Sequence, residues 1–162
     1  MAISGATSGS GGVYLDPVQV QGYGVPPQAM IDNIPPPYAG GQVATGSQLG
    51  LLGNRDVMDT PFNQTSYTAK KAQDQQAKTV RDVLNDDPSV RSSVPDGATP
   101  GDNMHIRGFA ATSFMTYGGL YGILPTYSPM AEIAERVEVL KGPSAMLTGL
   151  PPGDAIGGSI NI

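Results

Sequence analysis

The 162-residue sequence predicts an α+β fold, in which a small mixed β-sheet with short helices and long loops follows a disordered N-terminal tail. Two observations support this prediction. The first 50 residues contain ten Gly and six Pro, and residues 1–54 contain neither Lys nor Arg. From Leu51 onward, short apolar segments of strand and helix periodicity alternate with turn residues. We therefore predict a flexible tail over residues 1–50 and one folded domain over residues 51–162.

The composition of the tail is typical of an extended, flexible segment. Its only charged residues are Asp16 and Asp32. Such a segment buries too little apolar surface to offset the entropy of ordering it. Pro26–Pro27 and Pro35–Pro37 predict polyproline-like spacers between flexible Gly stretches.

One apolar island interrupts the tail at residues 15–21. It consists of Leu15, Asp16, Pro17, Val18, Gln19, Val20 and Gln21. Val18 and Val20 alternate with a polar residue, as they would in a strand. On pattern alone, a strand-forming segment and a chance apolar patch in a linker are equally good interpretations.

The first elements of the folded domain are a strand and two helices. Residues 62–68 predict a strand and residues 69–76 a polar helix. Thr79 followed by Asp82 forms a capping box that begins a second helix, and Asp87–Pro88 ends it. The apolar residues of this second helix share one face: Val80, Val83 and Leu84.

The remaining elements are short strands and one short helix. Strands are predicted over residues 89–93, 103–109, 136–141 and 156–162, with Val137 and Val139 on one side of the third of these. Residues 110–129 are rich in Gly and aromatic residues and predict an ordered surface loop. Gly142–Pro143 is expected to open a short helix with Pro at its first position, and Gly149 to end it.

The composition argues against several classes of function. The chain has no Cys, which excludes a disulfide framework, a thiolate metal site and a cysteine nucleophile. The formal net charge of -5 argues against a nucleic-acid partner, because phosphate binding requires clustered Lys and Arg. No apolar stretch reaches the roughly 18 residues that a membrane-spanning helix requires.

The candidate catalytic groups lack supporting motifs. Ser144 does not lie in a GxSxG elbow, and the Gly-rich segment around it lacks the spacing of a phosphate-binding loop. His105, the single histidine, is predicted to be a surface or packing residue rather than a metal ligand. Three carboxylates fit helix capping and solvation of a helix C-terminus better than acid–base catalysis: Asp82, Asp86 and Asp87. We predict that the chain is not an enzyme and holds no metal.

Three segments, in order, resemble the plug domain of TonB-dependent outer-membrane receptors. Residues 103–109 are similar to the "IRGF" strand of that family, residues 135–149 to its "ERVEVLRGPxxxLYG" signature, and residues 157–162 to its "GGxINI" strand. Residues 59–62 and 79–90 resemble the "TPxS" and "LxDxLxxxPGV" stretches of the ferric-siderophore receptor subgroup. The resemblance covers residues 50–162 and a candidate TonB box at residues 15–21.

The resemblance implies a function in transport. A plug of this family gates a β-barrel in the outer membrane of a Gram-negative bacterium, and its tail lies in the periplasm. The barrel is not encoded in these 162 residues, and the final Ser-Ile-Asn-Ile is expected to lie in mid-strand. The implied partners are that barrel, a ferric siderophore and the C-terminal domain of TonB. No cofactor is expected, because the siderophore's own oxygens hold the iron.

The resemblance also implies roles for individual residues. Arg107 and Lys141 stand at the positions that pair with barrel carboxylates, and both are therefore expected to be solvent-exposed in this chain. A lysine offers a point charge instead of a bidentate fork, so the Lys141 pair should hold less rigidly. We call these two residues the barrel latch. The expected ligand-binding residues of the Gly-rich loop are Phe114, Tyr117, Tyr121 and Tyr127, whose rings suit a large, partly apolar ligand.

The TonB box implied at residues 15–21 would add a strand to the coupling protein through main-chain hydrogen bonds. Pro17 stands where the family often has threonine, and it cannot donate to such a ladder. Two alternatives remain open from the sequence. One, within the same family, is a receptor plug whose ligand is a cobalamin, another metallophore or a sugar. The other, outside the family, is a small soluble periplasmic binding module that uses the Gly-rich loop as its pocket.

Overall fold

The computed structural model of the chain describes residues 33–95, 98–99, 101–111, 115–125, 127–150 and 156–162. The strands in these ranges are β1 Val43–Ala44, β2 Gly46–Gln48, β3 Asn54–Asp56, β4 Asn63–Thr68, β5 Val90–Ser92, β6 Met104–Ile106, β7 Phe109–Ala110, β8 Met115–Tyr117, β9 Leu120–Tyr121, β10 Arg136–Lys141 and β11 Gly158–Asn161. The α-helices are α1 Ala69–Gln75, α2 Val80–Leu84 and α3 Ala145–Thr148. Short 3-10 turns cover Gly50–Leu52, Val57–Asp59 and Ala131–Ile133.

The central sheet has the strand order β1-β4-β10-β11-β8-β9. The pairing of β11 with β8 is parallel and the others are antiparallel, so the predicted mixed sheet is confirmed. Two smaller sheets, β2-β3 and β5-β6-β7, flank it. Strand β10 lies in the middle, where Val139 pairs with Thr65 on one side and Ile160 on the other.

Both faces of the central sheet are covered. Val137 and Val139 point into the larger apolar cluster, which also contains the buried face of α2. Leu140 points to the opposite face, into a smaller cluster with Leu49 and Leu147. Burial of β10 on both faces explains why its side chains between the two ends are all buried, including the charged one.

The local signals of the second helix are confirmed. The Thr79 side chain accepts from the Asp82 backbone N–H, and the Asp82 carboxylate accepts from the Thr79 N–H at 3.0 Å. This reciprocal pair satisfies two N–H groups that the first helical turn leaves without partners. The predicted apolar face, Val80, Val83 and Leu84, is completely buried.

The predicted single strand over residues 103–109 is wrong. The chain forms a hairpin there, with strands β6 and β7 joined by a two-residue turn at Arg107 and Gly108. The φ angles of these two residues are 53° and 90°, as in the type I′ turn that matches the twist of paired strands. A similar hairpin, β8–β9, lies inside the segment predicted to be a loop.

The predicted start of α3 is also corrected. The N-cap is Ser144 and the helix begins at Ala145, so Pro143 precedes the helix instead of occupying its first position. Gly149 follows the last helical residue, as predicted.

The folded part of the chain begins before the predicted boundary at residue 50. Strands β1 and β2 lie within the segment assigned to the tail, and Leu49 is buried. Arg136 Nη2 donates to the carbonyl oxygen of Pro35 at 2.6 Å, and Pro37 forms an isolated bridge with Ala44. A Gly- and Pro-rich composition therefore does not prevent residues 35–50 from packing on the sheet.

Candidate functional site

Two of the predicted functional groups fall partly or wholly outside the described residues. The candidate TonB box, residues 15–21, lies outside them, and so does Phe114 of the predicted ligand-binding loop. The assignments of both stay predictions. The other predicted residues can be placed.

The β8–β9 hairpin presents two of the predicted aromatic residues. Tyr117 ends β8 and is 44% exposed, and Tyr121 ends β9 and is half-buried, with its hydroxyl 3.4 Å from the Thr148 Oγ1 atom of α3. Tyr127, farther along the chain, is 66% exposed. Between the two strands stands the turn Gly118–Gly119. We call β8, this turn and β9 the aromatic hairpin.

A cavity of about 320 Å³ lies beside the aromatic hairpin. It is bounded by the central sheet, by the segment around Leu49 and by α3, and its volume lies at the lower end of the range of small-molecule pockets. The apolar side chains at its wall and mouth are Leu49, Leu51, Leu140, Met146 and Leu147. Its polar wall is formed by Ser47, Thr116, Glu138, Ser159 and Asn161.

Glu138 is a buried carboxylate in this polar wall. Its Oε1 accepts from the Gln48 backbone N–H at 3.0 Å, and its Oε2 accepts from Asn161 Nδ2 at 2.8 Å. Burial raises the pKa of Glu138 above its ordinary value, and these two hydrogen bonds oppose the rise. Glu138 therefore holds β2 and β11 together across the cavity.

The structure contradicts the expectation that Lys141 is exposed. Its side chain is only 10% exposed, and its Nζ lies 2.9 Å from Oδ2 of Asp87, a carboxylate with no exposure at all. The prediction that Asp87 is a solvated residue at the end of a helix is therefore wrong as well. In this chain, an internal carboxylate neutralises the lysine that was expected to reach a barrel.

Asp87 is held by four hydrogen-bond donors. Its Oδ1 accepts from the Ser89 N–H at 2.8 Å, from the Ser89 hydroxyl and from Lys141, and its Oδ2 accepts from the Tyr67 hydroxyl at 3.0 Å. Burial alone would raise the pKa of Asp87, but the hydrogen bonds from Ser89 and Lys141 outweigh it and lower the pKa. Burial and the charge of Asp87 in turn raise the pKa of Tyr67.

A second buried lysine lies beside this cluster. Lys71 Nζ lies 3.9 Å from the centroid of the Tyr67 ring and 3.7 Å from Oδ2 of Asp86. Burial lowers the pKa of Lys71, and the nearby Asp86 carboxylate opposes that effect. The helix predicted to be polar thus contributes a cation to the packed interior.

Arg107, the other predicted latch residue, is exposed as expected. Its Nη1 atom lies 3.8 Å from the position that a Cβ would take at Gly142, the residue after Lys141. The fold therefore brings the two latch residues to the same region of the molecule. Whether they bind barrel carboxylates stays a prediction.

The sequence reasoning missed three functional candidates: Asp87, Glu138 and Asn161. Asp87 stands 54 residues before Lys141, so no local spacing pairs them. Glu138 offered a signal, since a charged residue at the centre of a short strand between two valines must either face solvent or find partners. Within the described ranges, no group of three metal-ligating side chains lies close enough to hold an ion. No helix in this part of the chain has the length and hydropathy to cross a bilayer.

Comparison with known proteins adds a family and a set of relatives. The profile of the family described as TonB-dependent Receptor Plug Domain matches residues 56–159. The ferrichrome receptor FcuA of Yersinia enterocolitica is 41% identical over 129 residues, which are 78% of this chain and 17% of that receptor. The vitamin B12 transporter BtuB of Vibrio vulnificus is 34% identical over 131 residues, 75% of this chain and 21% of that transporter.

A solved structure gives the same similarity in three dimensions. The crystal structure of BauA, the ferric preacinetobactin receptor of Acinetobacter baumannii, matches with a TM-score of 0.72 and 48% identity. The match covers 76% of this chain and 19% of the receptor chain. The present chain therefore spans about a fifth of the length of the receptors that it resembles.

Proposed function

Because this chain belongs to the TonB-dependent receptor plug domain family, we propose that it is the plug of a ferric-siderophore transporter of the outer membrane. The observation that carries the proposal is its similarity, over three quarters of its length, to two receptors named for ferrichrome and for ferric preacinetobactin. In this role it gates a barrel, presents the aromatic hairpin to the ligand and recruits TonB through residues 15–21. It performs no catalysis and has no cofactor of its own.

The geometry of the aromatic hairpin supports a ligand-facing role. Tyr117 and Tyr127 expose a large part of their rings, and exposed aromatic side chains with hydroxyl tips suit a flat, partly apolar ligand with polar edges. The hairpin supplies only one wall, because it lies at the edge of the central sheet and leaves Tyr117 44% exposed. We therefore propose that the barrel supplies the opposite wall and a carboxylate partner for Arg107, the exposed latch residue.

The coupling role is tested by titrating the ¹⁵N-labelled chain with the C-terminal domain of TonB. If residues 15–21 form the TonB box, amide shifts should be confined to about residues 14–24. Val20→Pro removes an N–H donor and fixes φ near -65°, so it should abolish the shifts. Val25→Pro makes the same change in the same segment outside the box and should bind like the wild type. Equal shifts in the wild type and Val20→Pro would contradict the assignment of the box.

A plug for a cobalamin receptor is the second candidate, and the similarity to BtuB favours it. Titrating the chain with a gallium-loaded siderophore and, separately, with cobalamin distinguishes the two ligands through the shifts of the hairpin amides. Because one wall of the pocket is missing, we expect dissociation constants no tighter than about micromolar. Nanomolar binding by this chain alone would instead favour a self-sufficient periplasmic binding module.

A further inference from the structure

We propose that Glu138 and Asn161 are a pair of positioning residues that fix the aromatic hairpin relative to the central sheet and to strand β2. The inference rests on the proposed function, in which that hairpin faces the ligand. It concerns how the hairpin is held, and neither residue is proposed to touch the ligand.

Asn161 is the direct anchor of the hairpin. Its Oδ1 accepts two hydrogen bonds, from Thr116 Oγ1 at 2.8 Å and from the Gly119 backbone N–H at 2.8 Å. Thr116 lies in β8, and Gly119 is the second residue of the turn between Tyr117 and Tyr121. One side-chain oxygen therefore holds both a strand and the turn of the hairpin.

Glu138 fixes the orientation of Asn161. The Asn161 amide has its oxygen directed at two donors, so its Nδ2 group must find an acceptor on the opposite side. That acceptor is Glu138 Oε2, at 2.8 Å. A carboxylate accepts at both oxygens, and the second one takes the Gln48 N–H. Because the Glu138 carboxylate can only accept hydrogen bonds, the Asn161 amide must direct its Nδ2 group at Glu138 and its Oδ1 atom at the hairpin.

The register of the sheet aligns these groups in one row. Ser66 pairs with Glu138, Glu138 with Asn161, Asn161 with Thr116, and Thr116 with Tyr121. The row crosses five strands from β4 to β9 and forms the polar wall of the cavity from Glu138 to Thr116. Side chains at paired positions of neighbouring strands lie on the same face, so the row ends at a ring of the proposed ligand site.

This arrangement ties the aromatic hairpin to a distant part of the backbone. Gln48 ends β2, which follows the N-terminal segment docked through Pro35 and Pro37. The Gly119 turn is hydrogen-bonded to Asn161, and Asn161 and the Gln48 N–H both donate to Glu138. We call this series of hydrogen bonds the bridge. It couples the position of the hairpin to that of β2 through side chains that are buried in the sheet interior or half-buried beside it.

The test exchanges the polarity of the bridge. In Glu138→Gln, the side-chain amide offers one acceptor to two donors, the Gln48 N–H and Asn161 Nδ2, so one of these donors faces another N–H group. Amide hydrogen exchange should then accelerate by about tenfold or more at Gly119 or at Gln48, whichever side loses the acceptor, the effect of losing one well-formed hydrogen bond. In the double variant Glu138→Gln/Asn161→Asp, the introduced amide donates to the introduced carboxylate, whose other oxygen accepts from Gly119 and Thr116. The other end of that amide accepts from the Gln48 N–H, so protection at both Gly119 and Gln48 should return.

Two controls keep the measurement specific. Glu132→Gln makes the same change at an exposed site and should leave Gly119 unchanged. The amides of Val137 and Val139, at the centre of the sheet, should exchange as in the wild type in every variant, whereas a general loss of fold would accelerate them together with Gly119. Unchanged exchange at both Gly119 and Gln48 in Glu138→Gln, or no recovery in the double variant, would overturn the proposal.

A measurement on the unmodified chain covers the case in which Glu138→Gln does not fold. A through-hydrogen-bond coupling between the Gly119 amide nitrogen and the side-chain carbonyl carbon of Asn161 should be detectable in the wild type. Its absence would overturn the inference. Neither experiment involves TonB or a ligand, so a negative result leaves the proposed function intact, and a failed TonB titration leaves this bridge intact.

Discussion

The pair formed by Lys141 and Asp87 shows how strongly one residue's role depends on its surroundings. The motif around Lys141 predicted a surface cation, yet the side chain is buried against a carboxylate with no exposure. Removing one partner of a buried pair leaves an uncompensated charge, which is far more unfavourable than losing an exposed ion pair. Any partner outside this chain must therefore compete with Asp87 for the lysine.

Lys141→Met should lower the free energy of unfolding by about 3–5 kcal/mol, because it leaves Asp87 buried without a counter-ion. Lys70→Met is the matched control: its pair with Asp74 is exposed and screened by solvent, so its loss should lower the free energy of unfolding far less. Asp87→Asn/Lys141→Met removes both charges and should be more stable than Lys141→Met. Urea denaturation of the chain measures all three, and equal losses for the two lysine variants would show that the burial has no energetic consequence.

At the level of single residues, the sequence assigned roles only where the motif or composition around a residue is contiguous. Arg107 and the aromatic residues of the hairpin are such cases, and their roles stay predictions. Asp87, Glu138 and Asn161 were not, because their roles arise from partners 20 or more residues away. Pairing at such a distance is set by the sheet topology, which hydrophobic periodicity does not specify.

Among the elements, the strands with strong alternation and the capped helix were predicted closely. Strand β10 and the capping box of α2 match the prediction, because their signals are local. The two hairpins were missed because each depends on a two-residue turn with positive φ, and their flanking strands are only two or three residues long. Strands this short carry too little pattern to predict.

Gly158, the first residue of β11, tests how closely two strands approach. Its φ is 130°, and a Cβ there would lie 1.9 Å from the Leu140 carbonyl oxygen. Gly158→Ala should therefore destabilise the chain by clearly more than the about 1–2 kcal/mol of a positive φ alone. Gly149→Ala, at φ 80° with open space around it, is the control that isolates the φ contribution. Similar denaturation midpoints for the two variants would show that β10 and β11 can separate without loss.

For the whole molecule, the boundary of the folded part is the main difference from the sequence prediction. Gly- and Pro-rich composition indicated a tail up to residue 50. The structure instead packs Ala44, Ser47 and Leu49 in its interior. Composition describes the average tendency of a segment, whereas docking depends on a few buried side chains and on acceptors such as the Pro35 carbonyl.

A chain that begins at residue 51 should be less stable than one that begins at residue 33. The shorter chain loses β1, β2 and the buried Leu49 side chain, and that side chain alone contributes about 1.5–3 kcal/mol. It also leaves the Glu138 carboxylate without the Gln48 N–H. Thermal and urea denaturation of the two chains measure the difference. Equal stability would place the boundary at residue 50, as the composition indicated.

The short edge strand β1 is attached to the sheet less firmly than the central strands are attached to one another. It is held to β4 by the pairs Val43–Tyr67 and Ala44–Ser66, whereas β10 pairs with β4 along its whole length and with β11 along four residues. Tension applied at residue 33 meets the Arg136–Pro35 bond first, then the bridge between Pro37 and Ala44, and then β1. We expect tension to break these attachments one after another while the pairing of β4, β10 and β11 stays intact, so that the N-terminal segment can be extended before the core unfolds.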